Sequence, residues 1–168
     1  MTTVTARPKL VTVFGGSGFL GRHVVQALAR RGYLVRVAVR RPDLANFVTP
    51  SGNVGQVAPV QANLRVRWSV DRAVAGADYV VNLVGILYES GRQRFDAVQG
   101  FGARAVAEAA RAAGASLVHV SAIGADPESE SSYACTKAEG EKAVLETVPS
   151  AVVFRPSIVF GPEDGVFN

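Results

Sequence analysis

The stretch VTVFGGSGFLGRHVVQAL, residues 11–28, runs from β-branched residues through glycines into a helical pattern, and its reading decides the fold. KLVTVF (9–14) has the length and apolar content of a buried strand, whereas Leu20, Val24 and Leu28 recur on one helical face before Gly32 stops it. Between them Gly15, Gly18 and Gly21 are spaced G-x-x-G-x-x-G, shifted from the G-x-G-x-x-G form. Glycine permits the tight turn and a close approach of ligand to backbone, and the free N–H groups that open a helix offer positive potential to a pyrophosphate. The whole turn, Gly15, Gly16, Ser17, Gly18, Phe19, Leu20 and Gly21, is therefore a candidate dinucleotide-binding segment.

Outward from this turn, strand and helix patterns alternate. YLVRVAVR (33–40) reads as a second strand, VAPVQA as a weaker third, and SVDRAVAG from Ser69 as a helix. ADYVVNLVG (77–85) is a fourth strand, RFDAVQGFGARAVAEAARAAG a long alanine-rich helix, and SLVHVSA (116–122) a fifth strand. SYACTKAEGEKAVLETV is a further helix, and AVVFRPSIVFG a sixth strand. Such alternation predicts an α/β fold: a three-layer Rossmann architecture with a doubly wound parallel sheet of about six strands and helices on both faces. No internal repeat or linker divides residues 1–168, so a single domain is expected.

Composition excludes several classes. The 168 residues are 48% apolar, enough to bury a core, but the longest apolar runs fall short of the roughly 20 residues that span a bilayer. With no secretion-signal pattern in MTTVTARPKL, a cytoplasmic location is expected, extending to the inner face of the membrane through a partner. A single cysteine, Cys135, and two scattered histidines, His23 and His119, cannot assemble a metal site, so no metal is expected and both histidines read as structural. The net charge of +4 is spread from Arg7 to Arg155 with few interleaved aromatics, which argues against a nucleic-acid surface.

The end of the second strand selects the dinucleotide. An NAD-binding chain usually places Asp or Glu there to accept from the adenosine ribose, and this one has Arg40 and Arg41. A guanidinium binds a ribose 2′-phosphate through charge-assisted hydrogen bonds that a carboxylate would oppose. NADP(H) is expected, with NAD(H) as the second candidate; for Arg41, next to Pro42, a side chain turned to water is the competing reading. After the third strand Ala62-Asn63 replaces the usual acidic residue, and Asn63 remains able to hydrogen-bond the adenine amine.

These residues, with YACTK and FRPSIVFGP, resemble the extended and atypical short-chain dehydrogenase/reductase family, the NAD-dependent epimerase/dehydratase-like group, across nearly the whole chain. The resemblance implies that Tyr133 and Lys137, one helical turn apart, lie beside the nicotinamide, with the lysine on the ribose and the phenol exchanging a proton with substrate. It implies Ser121 as a third catalytic candidate and Leu83, Val84, Gly85, Ser121, Tyr133, Lys137, Pro156, Ser157 and Ile158 as cofactor contacts. Cys135, inside the motif, reads as a spacer. A narrower resemblance, carried by VVNLVGILYE, GRQRFDAVQ, HVSAIGA and RPSIVFGPEDGVFN, is to the nucleotide-binding accessory subunits of respiratory complex I and their bacterial relatives. It implies a cofactor held largely as a structural element and complex I subunits as partners.

Two departures bear on activity. Where active members carry a substrate-orienting Ser or Thr this chain has Ala122 and Ile123, with Ser131 and Ser132 as substitutes or as helix caps. Relatives also continue into a smaller lobe over the nicotinamide, and the resemblance implies that the chain ending at Asn168 stops before it. Three functions are therefore expected to compete: a structural or sensory NADP(H) binder, a reductase, epimerase or dehydratase acting on a sugar nucleotide or another carbonyl compound, and a redox-sensing regulatory module. For the second, Arg92 and Arg94 are candidates to hold an anionic substrate.

Overall fold

The computed structural model describes residues 7–86 and 94–165, and Arg92 and the start of GRQRFDAVQ lie outside them. Six strands, β1 (Leu10–Phe14), β2 (Leu34–Val39), β3 (Val57–Gln61), β4 (Tyr79–Asn82), β5 (Ser116–Val120) and β6 (Val152–Phe154), form one sheet in the order β3-β2-β1-β4-β5-β6. Every pairing is parallel, with Val13 opposite Val37 on one side and Val81 on the other. The strand order reverses between β1 and β4, and ligands of open α/β sheets settle in the crevice at the carboxyl ends of the strands beside such a reversal.

Four α-helices make the crossovers: α1 (Phe19–Arg30), α2 (Arg67–Val74), α3 (Phe101–Ala112) and α4 (Ser132–Thr147). Strand alternation sends Val11, Val13, Val35 and Val37 to one face, where they meet Val25 and Ala29 of α1. Phe14, Val80 and Leu117 face the other way, onto Val70 and Val74 of α2, Val106 of α3 and Val144 of α4. Each fully buried valine contributes roughly 1.5–3 kcal/mol relative to exposure. Alanine dominates the inner side of α3, where Ala103, Ala107 and Ala110 are fully buried, so this helix lies close against its neighbours.

Three features differ from the sequence expectation. The predicted helix over 94–114 begins as a π-helical turn, Asp96–Gly100, and becomes α-helical only at Phe101. The widened turn presents the Gln99 carbonyl to α4 at Gly140, where a Cβ would overlap that oxygen. The predicted sixth strand over 151–161 is regular only through Phe154; beyond it the Ile123 N–H still donates to the Pro156 carbonyl at 3.0 Å, but Pro156 has no N–H to return. Helices also cover the two faces unequally: Val153 packs onto the α4 side, whereas Val152 and Phe154 on the α1 side are 51% and 57% exposed.

The glycines of the opening turn divide between packing and access. Gly15 has φ +77°, a left-handed conformation that favours glycine. A Cβ at Gly21 would overlap the Gly15 carbonyl oxygen, which sets how closely α1 approaches the end of β1. Gly21→Ala and Gly140→Ala should each destabilise the fold by at least about 2 kcal/mol, since backbone must move to admit the methyl group. Gly114→Ala, at φ +67° with no atom near the new methyl, should cost only about 1 kcal/mol. Urea unfolding of the three variants checks the ranking.

Candidate functional site

A groove of about 280 Å³ opens at the carboxyl ends of β1, β2 and β4. Gly15, Ser17 and Gly18 form one wall and Leu83, Val84 and Gly85 another, while Arg40 and Asn63 lie at the β2 and β3 side. The structure thus brings together eight of the sequence-derived candidates. Its floor, however, includes Ala38, Ala62, Leu64, Ile86 and Val98, which the sequence reading passed over. Their signal was available only as position, because four of them follow a strand or lie near its end and Val98 lies in the turn 96–100, none with a distinctive residue type.

The groove fits a dinucleotide by its backbone. The N-terminus of α1 carries no side-chain cap and no acidic residue in its first turn, so its N–H groups keep their positive potential for a ligand. Gly18, exposed at that N-cap, has φ −73° and an extended backbone that any residue adopts, unlike Gly15. A Cβ there meets only the Gly15 oxygen at 3.3 Å and would otherwise occupy the space into which a phosphate approaches. Gly16 and Gly21 are buried packing positions, Phe19 stands edge-on to His23, and Leu20 is half-buried on α1. Asn63 uses its Oδ1 to accept from the Arg65 backbone N–H at 3.1 Å, leaving one lone pair of that oxygen for an adenine amine.

Beyond Gly85 the site becomes polar and buried. Lys137 is only 5% exposed and donates to the Val120 carbonyl at 3.0 Å, beside Ser121 and near Gly85. Burial lowers the Lys137 pKa and raises that of the Tyr133 phenol. Tyr133 packs edge-on against Phe95 with ring centroids 5.9 Å apart. Ser131 caps α4 by accepting from the Ala134 N–H, so it belongs to the helix start rather than to a substrate. Ala122 is half-buried and Ile123 exposed, while Pro156, Ser157 and Ile158 lie outside the groove, the last two exposed. Arg94 is paired with Asp96. Cys135 has a raised thiol pKa, from burial first and the Glu139 carboxylate second, as suits a spacer.

Two further residues hold this end together. Gln99, 3% exposed, donates to the Ile86 carbonyl at 2.7 Å and accepts from the Thr136 hydroxyl at 3.2 Å, tying the loop after β4 to the helix that carries Tyr133 and Lys137. Glu141 accepts both Nε and Nη2 of Arg155 at 2.6–3.1 Å, joining α4 to the end of β6. The Arg155 hydrogen bonds hold the Glu141 carboxyl below its usual range, with a smaller contribution from the nearby Ser121 hydroxyl. Ser121 Oγ is itself buried without a hydrogen bond of standard geometry. Among the described residues no group of His, Cys, Asp and Glu could hold a metal, and no helix is long and apolar enough to cross a membrane.

His119, beneath this cluster, accepts from the Asn82 amide at 3.2 Å in its neutral form. Burial, then the Lys137 charge, lowers its pKa from 6.5 to about 4. The native state therefore resists a proton that the unfolded chain takes up below pH 6.5, and stability is lost as pH falls from 6.5 towards 4. The loss is on the order of 3 kcal/mol for the shift from 6.5 to about 4 and should be absent in His119→Gln, which urea unfolding across that range compares with the unsubstituted protein. Separately, Gly18→Val should abolish nucleotide binding while leaving the far-UV circular dichroism spectrum unchanged, as its open surroundings admit the side chain.

Comparison with known proteins places the chain in a family. Residues 11–167 match the NAD dependent epimerase/dehydratase family. The chain is 41% identical over 155 residues to the ceramide reductase of Caulobacter vibrioides, covering 92% of this chain and 48% of that protein. It is 36% identical over 160 residues to the mitochondrial NADH dehydrogenase (ubiquinone) 1 alpha subcomplex subunit 9 of Dictyostelium discoideum, covering 95% and 45% respectively. A short-chain dehydrogenase/reductase superfamily protein from Agrobacterium tumefaciens, solved with bound NAD, superposes with a TM-score of 0.69 at 28% identity, over 87% of this chain and 48% of that one. The chain thus spans about half the length of the relatives it matches.

Proposed function

The chain belongs to the NAD dependent epimerase/dehydratase family, and from that premise we propose that it binds NADP(H) in preference to NAD(H), the cofactor serving structure or sensing more than turnover. The observation that carries the cofactor choice is Arg40: exposed at the end of β2, it lines the groove where an NAD-selective chain would place a carboxylate. Gly15, Ser17 and Gly18 would hold the pyrophosphate, Asn63 the adenine, and Gly85, Ser121, Tyr133 and Lys137 the nicotinamide riboside. Gly16, Phe19, Leu20, Gly21, Leu83 and Val84 support the same backbone cradle, and Pro156 to Ile158 flank its far end.

A structural or sensory role is supported by the nicotinamide side. No hydroxyl stands at Ala122 or Ile123 to orient a substrate oxygen. The likeness to the Dictyostelium subunit supports complex I subunits as partners, with the domain held at the inner face of the cytoplasmic membrane through them. As a redox-sensing module it would exchange partners with the oxidation state of the cofactor.

A second reading is favoured by one pair and one relative. Tyr133 and Lys137 stand one turn apart on α4, and the Caulobacter protein at 41% identity is a reductase. A carbonyl compound held within about 3–3.5 Å of the nicotinamide would take its proton from the Tyr133 phenol. Nucleotide titrations separate the choices. NADP(H) should bind more tightly than NAD(H), and Arg40→Asp should reduce NADP(H) affinity about ten- to a hundredfold, the loss of one or two charge-assisted contacts. Equal curves for the two nucleotides refute the preference. Turnover with NADPH and a panel of ketones, aldehydes and sugar nucleotides, abolished by Tyr133→Phe, would promote the reductase reading.

A further inference from the structure

Beside the cofactor groove, on the far side of Arg40, lies a second open hollow of about 440 Å³ lined by Ser17, Val39, Arg40, Arg41, Leu44 and Ala45. Ser17 comes from the glycine turn, so this hollow continues the groove at the place where a ribose 2′-substituent would emerge. Two guanidinium groups line it, and they are not equivalent. Arg40 has no ion pair among the described residues. Arg41 is held: its Nε and Nη2 donate to the two carboxylate oxygens of Asp43 at 3.1 and 2.8 Å.

The backbone builds this fork. Pro42 between the two residues fixes its own φ and confines Arg41 to an extended conformation, observed at φ −128° and ψ 84°. A tight 3-10 turn then follows, with the Leu44 N–H donating to the Arg41 carbonyl at 3.2 Å and the Ala45 N–H to the Pro42 carbonyl at 3.0 Å. The turn places the Asp43 side chain on the same side as Arg41 and leaves little backbone freedom to separate them. The Arg41 hydrogen bond keeps the Asp43 carboxyl below its usual range, so the carboxylate is charged throughout the neutral range.

We infer that Asp43 is a specificity-determining residue that restrains Arg41 and so limits how strongly the hollow recognises a ribose 2′-phosphate, leaving Arg40 as the primary contact. This rests on the cofactor reading above, in which that phosphate reaches the hollow. The physical basis is competition: Asp43 occupies the Nε/Nη2 edge of Arg41, one of the two edges through which it could hold a phosphate in a bidentate contact, and its charge repels the dianion from the rest of the guanidinium. Because the pair is exposed, parting it costs little, and Asp43 tunes the preference rather than abolishing it.

The test is calorimetric titration of the whole chain with 2′,5′-ADP and with 5′-AMP, which differ only in the 2′-phosphate. Asp43→Asn should raise the preference for 2′,5′-ADP about three- to tenfold, with 5′-AMP binding unchanged, and Asp43→Ser should do the same. In an Arg41→Gln background Asp43→Asn should have no such effect, since the cycle removes the group through which Asp43 acts. Arg40→Gln should remove most of the preference by itself. An unchanged ratio in Asp43→Asn, or an equal rise with and without Arg41, overturns the inference even where Arg40 proves essential and the cofactor reading stands. If the unsubstituted protein shows no preference and Asp43→Asn creates one, the restraint is upheld while the NADP(H) reading of the native chain fails; if neither shows one, both fail.

Discussion

The contact on which the rest of the molecule depends is that between the first turn of α1 and the end of β1, where Gly21 lies against the Gly15 carbonyl with no room for a Cβ. Because the helix is seated this closely, its uncapped N-terminus opens directly onto the strand ends. That same seating puts Val25 and Ala29 onto Val13 and Val37, so one packing decision builds half the core and the phosphate cradle together. An alanine at position 21 would push the helix outward, and its N–H groups would no longer line the groove.

The end carrying Tyr133 and Lys137 is built on a different principle. Buried polar groups do the positioning: Gln99 between Ile86 and Thr136, Glu141 against Arg155, Lys137 on Val120, Asn82 on His119. Such contacts are directional, so they fix side-chain placement in a way that aliphatic packing does not. They also hold charge where desolvation opposes it, which is why Lys137, Tyr133 and His119 all depart from their ordinary titration in the direction of the neutral form.

The asymmetry between the two ends follows the sheet. The glycine-turn end sits over β1, β2 and β3, whose flanks are closed by α1 and the 3-10 turns 42–44 and 46–51. The end with Tyr133 and Lys137 sits over β4, β5 and β6, and there the α1 face leaves Val152 and Phe154 exposed, with Ile123, Ile158 and Phe160 exposed near the strand ends.

Periodicity by itself determined the element order and the parallel sheet, because a period of two and a period near 3.6 are local properties that survive without tertiary contacts. The strand–glycine–helix turn was legible too, since glycine spacing between a strand and a helix is a local geometric demand; four-residue spacing puts Tyr133 and Lys137 one helical turn apart, while any role for the pair came only from the family resemblance. What only the tertiary structure decided depends on partners distant in the chain. Gln99 is an unremarked residue until Ile86 and Thr136 meet it, and the π turn that carries it sets its carbonyl against Gly140, far along the chain. The groove floor of Leu64, Ile86 and Val98 is apolar in the same way as the core, so no residue type announces it. Arg40 and Arg41 look alike in sequence; their inequality arises from the turn that closes Asp43 onto one of them, a matter of side-chain direction that adjacency in the chain does not specify.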